Sequence, residues 1–329
     1  MNEARLDEVF RAVRMYYFQD MTMEAIAREM RTSRSTVSRL ITRAKAEGLI
    51  EFRLHVPHER VQGVEQQLAE LYGVVVHVVP IRDTSSELET LDSVAMFAAR
   101  LLNSRFGSDM TMGLAWGTTV EAISRHLTPK ATRNAQIVQL NGAGNTRTTG
   151  IGYASEIVHR FGAAYGARVQ QFPVPTVFDY AETKRALWRE RSIKRILDLQ
   201  KKADVALFGI GAVTGGVPSR VYAAGYLERR DFTALKQAGV VGDVATVFFR
   251  RDGSYHDIPL NERSSGPDLG ALRKVPHRIC VIAGKHKLPG LQGALAAGLI
   301  SELALDETSA AALARQTQPG SSTGTRRSK

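Results

Sequence analysis

Two groups of residues have types and spacings that point to chemistry. The first is basic. Between Arg28 and Lys45 the chain places Arg28, Arg31, Arg34, Arg39, Arg43 and Lys45 against one acid, Glu29, with Thr32, Ser35, Ser38 and Thr42 interleaved. Guanidinium groups pair bidentately with guanine, and hydroxyls bond to bases or phosphates, so this is the donor set of a DNA-reading surface. The second group is a set of small-residue loops, each following an apolar run. Trp116-Gly117-Thr118-Thr119 follows TMGLA, Asn141–Asn145 (NGAGN) follows QIVQL, Gly209-Ile210-Gly211-Ala212 follows DVALF, and Gly284-Lys285-His286-Lys287 follows RICVIA. Loops of this kind let backbone N–H groups approach an anion at a helix N-terminus, and ligands of open α/β sheets bind beyond the carboxyl ends of strands.

Other chemistries find less support. Glu121, Asp243, His256 and Asp257 are candidates for an acid–base pair, but no spacing forces any two together, so no catalytic residue is assigned. His55, His58 and His77 are scattered rather than set at metal-ligand spacing, so no metal and no cofactor is expected. The single Cys280, inside RICVIAG, reads as a small buried hydrophobe and excludes an intrachain disulfide.

Those residues need elements to position them. Leu6, Val9, Phe10, Val13 and Tyr17 recur at helical spacing over 5–18. A short helix is expected over about 22–30 on Ile26, Ala27 and Met30, then a turn at Arg31-Thr32-Ser33 with Ser33 as N-cap. A third helix runs to about Glu47, with Val37, Leu40, Ile41 and Ala44 facing a small core and Gly48 at its end. Ser35, Arg39 and Thr42 then lie on the opposite face, flanked by Arg34, Ser38 and Arg43, while Arg31 and Thr32 sit at the turn. This is the helix-turn-helix plan. Alternation over 49–56 predicts a strand, part of a wing that carries Arg53. Residues 58–72 read as a connector helix on Val61, Val64, Leu68 and Leu71. From Gly73 onward apolar strands alternate with helices, among them a helical region around 182–202, the pattern of a mainly parallel α/β sheet covered on both faces. One exception is GDVATVFFRRDGSYHDIPL, where Asp252-Gly253 reads as a hairpin turn.

The bulk numbers agree with this organisation. The 329 residues carry 43% hydrophobic and 23% charged side chains, enough for two domains with a sizeable core. The net charge of +11 favours an anionic partner. With no long apolar run and no apolar signal-peptide core, the expectation is a cytoplasmic chain without membrane contact. Domains are expected at 1–57 (DNA reader), 58–72 (connector), 73–316 (sensing and oligomerisation) and 317–329 (a disordered basic tail).

The chain resembles the SorC-type sugar-responsive transcriptional regulators, which include deoxyribonucleoside and central-glycolysis regulators, from about residue 5 to 315. The resemblance rests on MTMEAIAREMRTSRSTVSRLITRAKAEGLIEFRL, GLAWGTTV, ADVALFGIGA, GVVGDVATVFFRRDG and ICVIAGKHKLPGLQGALAAGLISELALDE, in that order. It implies a winged helix-turn-helix followed by an effector domain similar to sugar-phosphate isomerases but working as a sensor. It also implies that Gly117, Thr118, Thr119 and Lys287 hold the phosphate of a phosphorylated sugar, and that Gly142, Ala143, Gly144 and Asp243 line the sugar pocket. A family member that responds to a deoxyribose phosphate holds its effector through a lysine Schiff base. The loop judged equivalent here, Gln139-Leu140-Asn141-Gly142, has no lysine. The expected partners are double-stranded operator DNA, the sugar phosphate and further copies of the chain, as dimer or tetramer. The alternative is a sugar-phosphate-metabolising enzyme with an appended DNA reader.

Overall fold

The computed structural model describes residues 3–17, 19, 21–50, 59–82, 84–148, 151–212, 219–223 and 225–316. From residue 51 the expected wing strand, with Arg53, lies outside the described residues, as do His55, His58 and the expected tail at 317–329. The chain forms two compact units, Met1–Pro57 and His58–Lys329.

The first unit holds three helices: α1 (Glu3–Tyr17), α2 (Met23–Glu29) and α3 (Arg34–Ala46). Side chains fix where the last two begin. Thr22 caps α2 by accepting from the Ala25 N–H at 3.2 Å, and Ser33 caps α3 by accepting from Thr36 N–H at 3.1 Å. Arg31 closes α2 in the left-handed region, at φ 51°, and the Thr32 N–H returns to the Ala27 carbonyl at 2.8 Å. Val9, Val13, Ile26, Ala27, Val37, Ile41 and Ala44 form the core. Phe10 departs from the helical spacing that suggested it: it is 49% exposed, because Val9 and Val13 suffice to face the small core.

The second unit opens with α4 (Glu59–Tyr72). Its strands are β1 (Val75–Val79), β2 (Thr111–Leu114), β3 (Gln136–Gln139), β4 (Arg168–Gln170), β5 (Val205–Gly209), β6 (Val240–Val244), β7 (Val247–Arg250), β8 (His277–Ile282) and β9 (Glu302–Asp306). Seven of them form one sheet in the order β1-β9-β8-β5-β2-β3-β4, and every pairing is parallel. Alternate residues feed two cores. Leu207, Ile279, Val281 and Ala304 join the cluster on one face, while Phe208, Cys280, Ile282, Leu303 and Leu305 join the other. That is why these strands read as continuous apolar runs. Burial pushes the Cys280 thiol far above its ordinary range, which keeps it protonated and inert. No helix among the described residues is long and apolar enough to cross a membrane.

Two local expectations are corrected. β6 and β7 do form an antiparallel hairpin, but its turn is Ala245-Thr246, at φ 46° and 67°, rather than Asp252-Gly253. Asp252-Gly253 instead makes a tight turn just after β7, where Gly253 N–H meets the Arg250 carbonyl. The helical region expected over 182–202 is two helices, Ala181–Leu187 and Arg191–Lys201. Trp188 breaks them by packing against Phe172 and Phe178 at 5.5 and 5.6 Å between ring centroids.

One ion cluster ties the edge of the sheet. Glu302, 3% exposed, accepts from His77 at 2.7 Å and from Arg105 at 2.9 and 2.8 Å. Burial alone would raise its pKa, but His77 and Arg105 bring it down to about 2 from an ordinary 4.5. A depressed carboxylate stabilises the fold fully above its unfolded pKa and loses that contribution as pH falls through the folded one. We expect about 3 kcal/mol of stability to disappear between pH 4.5 and 2 on this account. Urea melts across that range check it: Glu302→Gln, less stable at neutral pH, should lack that part of the acid loss.

Candidate functional site

The strand order sets where a ligand can enter. From β2 the chain moves outward to β3 and β4; from β5 it moves the other way, to β8 and β9. The border between β2 and β5 is therefore a topological switch point, where loops leave in opposite directions and open a crevice at the carboxyl ends. A cleft lies there.

Its parts come from five loops. After β2, Gly117 adopts φ 144° and starts α6 (Thr118–Arg125) without a side-chain cap. The amides of the first turn are thus left for an anion. After β5, Gly209 brings the strand against Thr119: a Cβ there would lie 3.3 Å from Thr119 Oγ1. After β8, Lys287 is 7% exposed and its Nζ donates to Thr119 Oγ1 at 3.2 Å. From the hairpin, Asp243 is 4% exposed and pairs by backbone with Gly211. A Cβ on Gly211 would fall 1.8 Å from Asp243 Oδ1, so this close approach requires glycine. From β3, Asn141 completes the lining.

Burial sets the electrostatics. It lowers the Lys287 pKa to about 8, against the pull of the Asp243 carboxylate. It raises Asp243 to about 6, against the Thr246 N–H, the neighbouring Tyr222 hydroxyl and the Lys287 charge. The Thr246 N–H donates to Asp243 Oδ2 at 2.9 Å. Asp243 Oδ1 and Asn141 Oδ1, on residues that line the cleft, are buried without a well-formed hydrogen bond among the described residues, with the Tyr222 hydroxyl close enough to Asp243 to act on its charge. Buried polar atoms are nearly always paired, so unpaired acceptors lining a cleft are places for ligand hydroxyls. The cleft thus has a cationic, donor-rich end for an anion and an acceptor end for a polyol.

Of the effector residues expected from sequence, Gly117, Thr118, Thr119, Asp243 and Lys287 line this one cleft. Gly142, Ala143 and Gly144 are not among its lining. Gly142 N–H donates to Ser265 Oγ, its carbonyl accepts from Trp116 Nε1 and Thr176 Oγ1, and Gly144 pairs with Pro175. This loop is stitched to the 174–176 segment, and Asn141 is the residue it presents to the cleft. Ser219, Arg220 and Thr246 also line it, though no pattern in the sequence pointed to them. Arg220 is held over the Tyr153 ring, 3.9 Å from its centroid. Glu121 is not in the cleft lining: it accepts from Tyr153 Oη at 2.7 Å and pairs with Arg125 at 2.5 Å. His256 and Asp257 are exposed and outside the cleft.

On the reader, Arg31, Arg34, Ser35, Arg39 and Thr42 are exposed, and Thr32, Ser38 and Arg43 are half-buried. Arg34 pairs with Glu24 at 2.6 Å and Arg43 with Glu47 at 2.7 Å. Arg39 has no carboxylate partner among the described residues; it lies along α3, reaching Ser35 O at 3.4 Å and Thr36 Oγ1 at 3.3 Å. Of the three arginines of α3 it is the one not paired with a carboxylate.

Comparison with known proteins bears on both units. A family described as a sugar-binding domain matches residues 57–315, and the MarR family matches residues 11–60. The deoxyribonucleoside regulator of Bacillus subtilis (strain 168) is 30% identical, over 92% of this chain and 95% of its own length. The sorbitol operon regulator of Klebsiella pneumoniae is 25% identical, over 87% and 91%. Among solved structures, a domain of a possible sugar-binding transcriptional regulator from Arthrobacter aurescens TC1 is 56% identical, covering 79% of this chain and 100% of that one, with a TM-score of 0.74. The full-length sorbitol operon regulator from Klebsiella pneumoniae shares the fold at 24% identity and a TM-score of 0.75, over 95% and 99%.

Proposed function

The chain belongs to the SorC-type family of sugar-binding transcriptional regulators, and from that premise we propose that a phosphorylated sugar, bound in the switch-point cleft, controls its affinity for an operator of carbohydrate catabolism. The phosphate sits on the amides and hydroxyls of Gly117–Thr119 with the Lys287 ammonium beside it. The sugar hydroxyls donate to Asp243 Oδ1 and Asn141 Oδ1. The observation that carries this reading is the meeting of a buried lysine, an uncapped helix start and two unpaired buried acceptors in a chain that also carries a helix-turn-helix.

A ligand changes DNA affinity only by preferring one arrangement of the protein. α4 is placed to carry that preference. It follows the reader directly in the chain, buries Val61 and Leu68 in the sensor core, and Glu65 accepts from the Val78 N–H of the edge strand β1 at 2.7 Å. A thermal-shift series against a sugar-phosphate panel, followed by operator titration with each stabilising compound, tests the reading. A panel without any stabilising sugar phosphate would sink it. Asp243 and Lys287, both drawn toward neutral pKa values, keep an isomerase-like reading in view; we expect the bound sugar phosphate to be recovered unchanged after incubation.

In the reader, the exposed face of α3 enters the major groove, with Arg31 and Thr32 on phosphate and Arg34, Ser35, Ser38, Arg39, Thr42 and Arg43 along the groove. Arg39→Ala should weaken specific operator binding by about 1–3 kcal/mol and change random DNA little, if it reads a guanine. Equal losses on both DNAs, measured by fluorescence anisotropy, would mean a phosphate contact only. One reader covers a half-site, so the chain works as a homo-oligomer, dimer or tetramer, on a roughly palindromic operator. Light scattering on the free and operator-bound chain should show at least a dimer in both.

A further inference from the structure

Thr118 and Lys287 stand in the wall between the cleft and a second cavity. This cavity occupies the other half of the sheet's carboxyl edge, where β1, β9 and β8 end and α5 (Glu87–Arg105) begins. Arg82, Lys285, His286 and Lys287 converge on it, against Glu87 and Asp306.

Asp306 is already committed. Its carboxylate accepts from Gly284 N–H at 2.8 Å, Thr308 Oγ1 at 2.6 Å, and Ser309 N–H and Oγ at 2.9 and 2.7 Å. It anchors the Gly284–Lys287 loop, and with Glu87 it also acts electrostatically on His286. Gly284, at φ 95°, lets the His286 ring fold back: a Cβ there would lie 2.8 Å from the imidazole. The His286 Nε2 so placed is buried and has no hydrogen-bond partner among the described residues. A buried ring nitrogen without a partner, on a residue that lines the cavity together with Arg82 and Lys285, is a place for a ligand's hydrogen bond.

We propose that this cavity is a second anion site, separate from the effector cleft, which takes a phosphate group through Arg82, Lys285 and His286. The ligand class is inorganic phosphate or a small phosphate monoester. The two sources share the phosphate chemistry, and titration with each separates them: a monoester-selective site binds glycerol 3-phosphate well and inorganic phosphate at least tenfold more weakly.

The test is calorimetric titration of the full chain with inorganic phosphate and with glycerol 3-phosphate. Three forms are compared: wild type, Arg82→Ala/His286→Gln for the second cavity, and Thr119→Val for the cleft. The expected result is that the double variant loses one binding event, at least tenfold in affinity, and that Thr119→Val keeps it. Arg82 is exposed, so Arg82→Ala alone carries the same test if the double variant folds poorly. If wild type shows a single event that the double variant removes, the second site stands and the cleft loses its phosphate role. If binding is absent from wild type, or persists unchanged in the double variant, the second site is overturned.

Discussion

Lys287→Ala is expected to abolish the effector response while leaving effector-free operator binding nearly intact. The lysine is buried, reaches Thr119 Oγ1 at 3.2 Å and supplies the cleft's buried full charge. Hydrogen bonds to charged groups contribute about 1.5–3 kcal/mol each, so the sugar phosphate should bind roughly tenfold to a hundredfold more weakly. Lys287→Met keeps the packing of the side-chain stem and separates lost charge from lost volume. The wild type provides a further readout. Burial brings the Lys287 pKa to about 8, and the ligand binds the protonated form. Effector affinity should therefore fall as pH rises through 8, and that fall should be missing from both variants. Operator DNA is titrated with and without the sugar phosphate. A full effector response in Lys287→Ala would move the phosphate site elsewhere.

Gly142→Ala should fail in a different way, by destabilising the sensor rather than blinding it. A Cβ at Gly142 would sit 2.3 Å from the Val174 carbonyl oxygen and 2.5 Å from that of Pro175. Both are backbone atoms, and Gly142 is itself held by Ser265, Trp116 and Thr176, so neither side can give way cheaply. Overpacking of this kind costs about 3 kcal/mol. For a unit of this size that lowers Tm by roughly 6 °C or more. Thermal melts measure it, with effector titration of the protein that remains folded. A variant of normal stability that cannot bind effector would place Gly142 at the ligand instead.

These two residues mark the division between what was legible in the chain and what was not. Local elements were legible because their causes are local. Ser33 caps α3 through a hydroxyl three residues from its donor, and the apolar runs TMGL, VALFG and HRICVI are strands because both their faces are covered. Small residues at strand ends marked the separate loops, the family resemblance grouped Gly117, Thr118, Thr119 and Lys287, and these four line one cleft. What the sequence alone determined, then, is a helix-turn-helix followed by a parallel α/β unit with small-residue loops at its carboxyl edge.

Which loops meet was decided only by the tertiary structure. The order β1-β9-β8-β5-β2-β3-β4 puts β2 beside β5, although 90 residues separate Leu114 from Val205, and so chooses the crevice. The NGAGN loop offered five small or polar residues. Its pairing with residues 174–176 turns Asn141 into the cleft and commits Gly142 to the backbone of its neighbour. Trp188 ends a helix because Phe172 and Phe178, brought in by another part of the chain, make a better seat for it than a continued turn. Periodicity and capping act over a few residues, through hydrogen bonds and side-chain spacing that any short segment carries with it. Strand neighbours and loop seating depend on contacts between distant segments, whose energies exist only once the sheet has closed around them.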